Sequence, residues 1–518
     1  MISTKTIKNK KDLTNFFSLM ALLFVVVTTL LNFNQGVEFL DEGVLNMGAW
    51  RISQGEVPYR DFFIPSTPFS FYLLGFLYKI FGVSVLTGRV AAIFLSAALI
   101  FSIYLLSNKI ISKPLFSSIP IIIMTQAGMS MWHFMSHHWL GNLFTVLSLY
   151  FLILFLENQK SRFIFLSGFF AGFCFITISD QGIYNIVFFL AALLIFKKDK
   201  FNFNTFFSFL KGVSIAVIPL IVYLLIKVPF STLFYDLFIF PFTGYKSIES
   251  NRMGIFYPFQ ELIYVWKNGI YKYDPFWTIL ATISSLLIAL IPYLTLISYI
   301  FLLKFSKNNK KALTLTFLGS LIMLLTAARR WAPINLYWAS SIPSILFALT
   351  LSSIYKKEKK TLKVFSLSIC WFFILIFFLF GTVRTVKLFD KSKNIKIESR
   401  VGVLYLDKPF LASQFTGLLE AIEKTIPPNE PFFSREIAII NFLTLRKNPS
   451  KIDFFKPPYY TPSSQIEDVI YDLEKKNIRF IVSLNKEFDE KNPFDLYLKE
   501  KYFALWQNNN FILYKRKS

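Results

Sequence analysis

Apolar residues in this chain gather into long runs, without the regular alternation or 3.6-residue stripes of a soluble domain. The runs fall at 16–31, 86–106, 115–129, 141–156, 163–178, 183–196, 206–226, 276–303, 313–327, 334–354 and 362–382. A hydrocarbon core of ~30 Å is crossed by about 20 such residues in a helix, so the pattern predicts eleven transmembrane helices, several of them short. The polar stretches between runs alternate in charge. Lys5, Lys8, Lys10 and Lys11, then Lys109 and Lys113, Lys160 and Arg162, Lys197, Lys198 and Lys200, Lys304, Lys307, Lys310 and Lys311, and finally Lys356, Lys357, Lys359 and Lys360 occupy one side. The opposite short segments 130–140 and 179–182 hold no Lys or Arg. Positive residues stay in the cytoplasm, which sets the N-terminus inside and the C-terminus outside. The first run follows a basic tail, as in a signal peptide, but no small-residue cleavage site follows it; it reads as a retained first span.

Two outward segments have patterns of their own. In 32–85, Leu45, Ala49 and Ile52 share one helical face, and Gly55 and Pro58 break the chain. A second helix takes Thr67 as N-cap and Pro68 at its first position. It carries Phe69, Tyr72, Leu73, Phe76 and Ile80 on one face and stops at Gly82. The pattern predicts two amphipathic helices lying on the membrane surface. Beyond Asp390, helical patterns at 410–426 and 464–477 and strand patterns at 479–484, 503–507 and 511–515, with a turn at 508–510, predict an α/β domain. The expected fold is therefore a polytopic α-helical membrane protein of about eleven spans, N-terminus in and C-terminus out, with amphipathic surface helices in the first outer loop. Residues 1–384 form its transmembrane domain and 385–518 an extracytoplasmic α/β domain.

Composition agrees. With 54% hydrophobic residues, 63 Phe and a mean hydropathy of +0.51, the chain is outside the range of soluble globular proteins. A formal charge of +24 would suggest nucleic acid in a soluble chain, but here much of it is the topological Lys and Arg just described, and no nucleic-acid partner is implied. Cys174 and Cys370 both lie inside apolar runs, which excludes a disulfide framework and a Cys-rich metal site.

The chemistry-bearing residues collect on the outward side. Asp41 and Glu42 follow the first run closely, where carboxylates near a low-dielectric boundary mark sites and can be tuned as general bases; a pair that caps a helix start is the alternative. Arg89 sits about a turn inside the second run, placed to meet a phosphate or the acidic pair or to snorkel to headgroups. Arg329 and Arg330 end a span on the same side, as phosphate clamps or headgroup anchors; Lys246, Arg252 and Lys267 rank behind them. His133, His137 and His138 share one outward loop. The spacing of His133 and His137 would suit a metal with Asp180 or Glu42, whereas substrate contact by His137 or His138, or plain interfacial seating, needs no metal. Asp180 and Gln181 could bond sugar hydroxyls or simply form a polar turn.

The stretches DEG (Asp41, Glu42, Gly43), AWRISQGEVPYRDFF (49–63) and TPFSFYLLGFLYKIFG (67–82), followed by Arg89, resemble the GT-C superfamily of membrane glycosyltransferases. The resemblance is to the bacterial branch related to protein O-mannosyltransferases and the lipid A aminoarabinose transferase, and it covers 41–89. It implies inverting transfer of a sugar from a polyprenyl-phosphate donor to a lipid, glycan or protein acceptor on the outer face of a bacterial cytoplasmic membrane. By matched position Asp41 would be the general base with Glu42 beside it; topology, not the match, makes Arg89, Arg329 and Arg330 donor-phosphate candidates, and Arg60, Asp61, His137, His138, Asp180 and Gln181 are substrate-contact candidates. Where the aminoarabinose branch has an Arg after the acidic pair and a Lys before the second helix, this chain has Val44 and Thr67. No metal ligand set is assigned, although a divalent metal stays compatible with the pattern. A lipid-glycan flippase would place ionisable residues at mid-membrane, where these spans have almost none. A non-catalytic glycan-binding scaffold would tolerate loss of Asp41 and Glu42.

Overall fold

The computed structural model describes residues 23, 26–31, 33–64, 66–111, 113–129, 134–196, 203–243, 256–267, 275–305, 310–328, 331–357, 359–388, 395–406, 408–457 and 461–517. Two short helices, α1 (Asp41–Ser53) and α2 (Phe69–Phe81), pack as an antiparallel pair ahead of the helical bundle. The bundle then runs through α3 (Val85–Ile110), α4 (Pro114–Ile122) with its π-helical extension Ile123–Met129, α5 (His137–Asn158), α6 (Ser161–Thr177), α7 (Ser179–Phe196) and α8 (Phe203–Lys227). A shorter stretch follows: α9 (Phe230–Phe234), a π-helical turn at Tyr235–Ile239, α10 (Phe240–Thr243) and α11 (Tyr257–Lys267). The bundle closes with α12 (Pro275–Phe305), α13 (Lys310–Ala327), α14 (Pro333–Ala339), α15 (Ser341–Tyr355) and α16 (Lys360–Leu388).

Among the described residues, seven helices are long and apolar enough to cross a membrane: α3, α5, α7, α8, α12, α13 and α16. The expected run 334–354 is broken, with α14 and α15 meeting at 66° and making an eighth crossing if they count as one. The runs at 115–129 and 163–178 form shorter apolar helices, the first opened by Pro114 and carrying Pro120 within, where a missing N–H weakens the helix. The first expected run is described only at residue 23 and from residue 26 onward. Bundle helices approach closely where side chains are small. At the α6–α8 crossing, a Cβ on Gly168 would stand 2.0 Å from the Phe209 carbonyl oxygen, so the two backbones touch.

The C-terminal region mixes strands and helices. β1 (Ile395–Ser399) and β2 (Gly402–Leu406) form an antiparallel hairpin. After α17 (Pro409–Thr425) come β3 (Phe433–Ser434), α18 (Ile439–Leu443), α19 (Ser463–Lys475), β4 (Phe480–Leu484), α20 (Pro493–Lys501), β5 (Tyr502–Gln507) and β6 (Phe511–Arg516). The sheet order is β3-β4-β6-β5, with β3 parallel to β4 and the other pairs antiparallel; Ile481 faces Tyr514 and Val482 faces Leu513. The helices at 410–426 and 464–477 and the three strands lie where the sequence pattern puts them. The β1–β2 hairpin, α18 and α20 are additional. This region packs directly on the 33–85 segment: Gly36 N–H donates to Tyr405 O at 2.8 Å, Phe63 N–H to Lys451 O at 2.8 Å and Val85 N–H to Val401 O at 2.9 Å.

Candidate active site

The site is built around the first turn of α1. Glu38 initiates it, its carboxylate accepting the backbone N–H of Asp41 and, at 3.1 Å, that of Glu42, while Glu42 returns a bond by accepting the Glu38 N–H at 3.1 Å. This reciprocal exchange satisfies donors that a helix start leaves orphaned. From Glu42 to Arg51 every residue of α1 is buried. The expectation of a surface helix is therefore corrected: α1 is sandwiched between α2 and α18, and its polar residues are satisfied within protein. Gly43 makes the sandwich possible, since a Cβ there would lie 2.4 Å from the Ile439 backbone nitrogen. α2 keeps an outward apolar face, with Phe76, Ile80 and Phe81 more than half exposed.

The two carboxylates diverge. Glu42 turns inward and meets Arg89 at 2.7 Å, both side chains almost fully buried. Arg89 also donates to Gly36 O at 2.9 Å. Burial pushes the Glu42 carboxyl up and the Arg89 guanidinium pulls it back. Asn46 donates to Glu42 O at 2.9 Å and accepts from the Tyr78 hydroxyl at 2.5 Å, joining α1 to α2, while the Arg89 pair joins α1 to α3. Of the roles open to Arg89, the structure shows contact with Glu42 of the acidic pair. Asp41 stays exposed beside it, at a helix N-terminus that favours negative charge.

The other candidates have contacts of their own. Arg60 and Asp61 pair with each other at 2.7 Å on the surface, and the Arg60 hydrogen bond holds Asp61 below the usual carboxylate range. His137 and His138 open α5, capped by the Ser136 hydroxyl, which accepts the His138 N–H at 3.1 Å; their rings lie 4.2 Å apart, and His138 stacks on Trp338 at 4.4 Å. Asp180 is in the first turn of α7 and accepts the Gln181 N–H at 2.8 Å. Gln181 is fully buried and donates to Thr145 Oγ1 at 2.8 Å, in a seam where Asn185 also reaches Thr145 and Asn142 reaches Trp338 O. That seam joins helices, a different employment from the sugar contact expected of Gln181. His133, Lys246, Arg252, Arg329 and Arg330 lie outside the described residues. Among the described residues, no three His, Cys, Asp or Glu side chains gather as a metal site, and Glu42 is paired with Arg89.

Sequence reasoning passed over Glu38, Asn46 and Tyr78. Glu38 had a signal, an acid four residues ahead of Glu42 at a helix start. Asn46 and Tyr78 had none, because their bond spans two helices and 32 positions.

The family profile described as dolichyl-phosphate-mannose-protein mannosyltransferase matches residues 65–226, from α2 through α8, and does not include α1 or the acidic pair. Among solved structures, the crystal structure of the Archaeoglobus fulgidus oligosaccharyltransferase in complex with zinc and sulfate aligns with a TM-score of 0.52 at 14% identity, covering 96% of this chain and 73% of that one. At that identity the likeness concerns the fold. No curated protein sequence matches the chain. With the profile match over residues 65–226 and the fold likeness over nearly all of the chain, the protein is similar to the GT-C membrane glycosyltransferases.

Proposed function

We propose that the chain transfers a sugar from a polyprenyl-phosphate-linked donor to an envelope acceptor, with inversion, on the outer face of a bacterial cytoplasmic membrane. The single observation that carries the reading is the split between the two acids: Glu42 is buried against Arg89 while Asp41 remains exposed one residue away. A sugar phosphodiester already has a good leaving group, so the reaction needs a base on the attacking side and cations on the departing side. Asp41 is the base that takes the acceptor hydroxyl proton. Glu42 and Arg89 hold the turn that presents it. Arg329 and Arg330 remain the phosphate candidates, and Arg60, Asp61, His137, His138 and Asp180 substrate-contact candidates. In this reading the chain crosses the membrane eleven times with its N-terminus inside, and residues 385–518 lie outside.

The test is transfer of radiolabelled sugar from polyprenyl-phosphate mannose, and from a panel of other polyprenyl-phosphate sugars, to a crude envelope fraction in membranes holding the wild-type chain or Asp41→Asn. Asn keeps the shape without the basicity. A general base contributes about 10²- to 10⁴-fold, so the variant is expected to lose transfer by at least about a hundredfold at equal expression. Equal transfer by both proteins would remove Asp41 from the chemistry.

A further inference from the structure

The strongest feature the mechanism has not used is the grip of the C-terminal region on both ends of α1. At the first turn, Ile439 N–H donates to Phe39 O at 3.3 Å, and the Phe39 ring stacks on Phe415 at 5.0 Å and meets Phe511 edge-on at 6.3 Å. At the last turn the Arg51 guanidinium is buried and fully engaged. Its Nη1 donates to both Asp453 oxygens, at 3.2 and 3.1 Å, and to Ser450 O at 3.2 Å; its Nη2 donates to Asp61 O at 2.8 Å and its Nε to Glu56 at 2.6 Å. The group also lies 4.7 Å over the Phe62 ring. Asp453 is fixed in turn by Asn448 at 2.7 Å and is 3% exposed.

A buried Arg–carboxylate pair contributes little net stability compared with apolar residues of the same shape, because both ions lose their water. What such a pair supplies is a single geometry. Arg is suited to this, since its planar fork fixes direction as well as distance. An error of about 1 Å in the placing of a reacting group can cost about a hundredfold in rate, and α1 carries Asp41 at the end opposite to Arg51.

We propose that Arg51 and Asp453 are positioning residues: they lock α1 to the C-terminal region, which stays docked through turnover as a wall of the active site. The proposal rests on the glycosyltransferase reading for what is positioned, but not for the docking itself. It gives the C-terminal region a role at the reacting centre.

The test uses the full chain and a covalent stand-in for the lock. Gln35 and Tyr405 are bridge partners across the same seam, at a backbone separation suited to a disulfide, and the native Cys174 and Cys370 are buried. Asp453→Ala, Gln35→Cys/Tyr405→Cys and the combination are compared for transfer from the same polyprenyl-phosphate sugars, before and after oxidation, together with disulfide yield. The expected results are a fall in kcat of about a hundredfold with KM little changed for Asp453→Ala, activity retained on cross-linking the otherwise wild-type chain, and recovery of at least tenfold on cross-linking the Asp453→Ala chain. A merely folding role for Asp453 would not be repaired by a bond formed after folding. Activity lost on cross-linking the wild-type seam and regained on reduction would overturn the proposal, as would full activity of Asp453→Ala, or loss without recovery. If the wild-type chain transfers from none of the donors, the glycosyltransferase reading fails instead. Disulfide yield then decides the docking: a yield lowered by Asp453→Ala supports the lock, and an unchanged yield overturns it.

Discussion

The two ends of α1, about 14 Å apart along its axis, each contain a buried ion pair, and the pairs do different work. At the first turn Glu42 meets an arginine from inside the bundle, Arg89, and the pair is sealed from water. At the last turn Arg51 meets Asp453, which lies 402 positions further on, and three other acceptors complete its shell. The first pair ties the helix to the membrane bundle and the second ties it to the C-terminal region. Between them sits a helix with no freedom to tilt, and the one acid it leaves exposed is Asp41. A rigid mount for a single exposed carboxylate suits the base role proposed for Asp41.

The comparison can be broken at either end. Asp41→Asn should have the largest effect, the loss of transfer by about 10²- to 10⁴-fold, with unchanged folding because the side chain is exposed; activity in membranes together with detergent stability checks both halves. Asp453→Ala, at the other end, should cost about a hundredfold in kcat. Glu42→Gln should act on stability first. It leaves Arg89 charged and buried without its counter-ion, a loss of about 3–5 kcal/mol, read as an early thermal unfolding transition in detergent. Replacing both partners, Glu42→Leu with Arg89→Met, should recover most of that stability, since neither charge is then stranded. If the double variant is no better than the single one, the pair has a role beyond balancing charge.

Much of this was legible in the sequence, and the reason is local. Apolar runs and basic flanks report on the bilayer one segment at a time, so each run from residue 86 onward forms helix, although 334–354 is bent at Ser340. Strand alternation likewise placed β4, β5 and β6. The acidic pair stood out because acids are rare beside apolar runs. What stayed hidden needs two distant parts of the chain at once. The face formed by Leu45, Ala49 and Ile52 predicts one buried side, but nothing in the periodicity says that α18 covers the other. Neither Arg51 nor Asp453 stood out, because nothing near either one in the chain points to the other. Gln181 looked like part of a turn because the helix α7 starts two residues before it, and the buried seam it joins is assembled from four helices.

Gly43→Ala tests the covering of α1 more gently. The added methyl would meet the Ile439 backbone at 2.4 Å, and backbone cannot rotate away as a side chain can. Overpacking of this kind costs typically about 1–3 kcal/mol. The expected result is a modest loss of thermal stability with a larger loss of transfer, because the displaced element is the one beside Asp41. Loss of stability alone, with normal specific activity in the surviving protein, would show that the contact near Gly43 does not set the position of the base.

The smallest effect is expected at Asp236, in the π-helical turn between α9 and α10. Phe240, just beyond it, packs edge-on against Phe63 at 4.7 Å, so the turn is pressed onto the same 57–64 segment that Arg51 holds. Partial burial pushes the Asp236 carboxyl up to about 6, with Lys451 pulling the other way and Tyr59 also facing it. A folded-state value above the unfolded one means that the folded chain holds the proton longer. The resulting stability is present below pH ~4 and is lost as the pH rises through about 6. Asp236→Asn removes this titration. The variant should therefore be more stable than the wild type at pH 7.5, should lose that advantage at pH 4, and should show a flatter melting profile between them. Since the carboxyl is partly open to solvent, the shift should be a fraction of what full burial would give. A wild-type profile that already runs parallel to the variant's would mean that water reaches Asp236 freely, and that the π-helical turn does not press it against the segment held by Arg51.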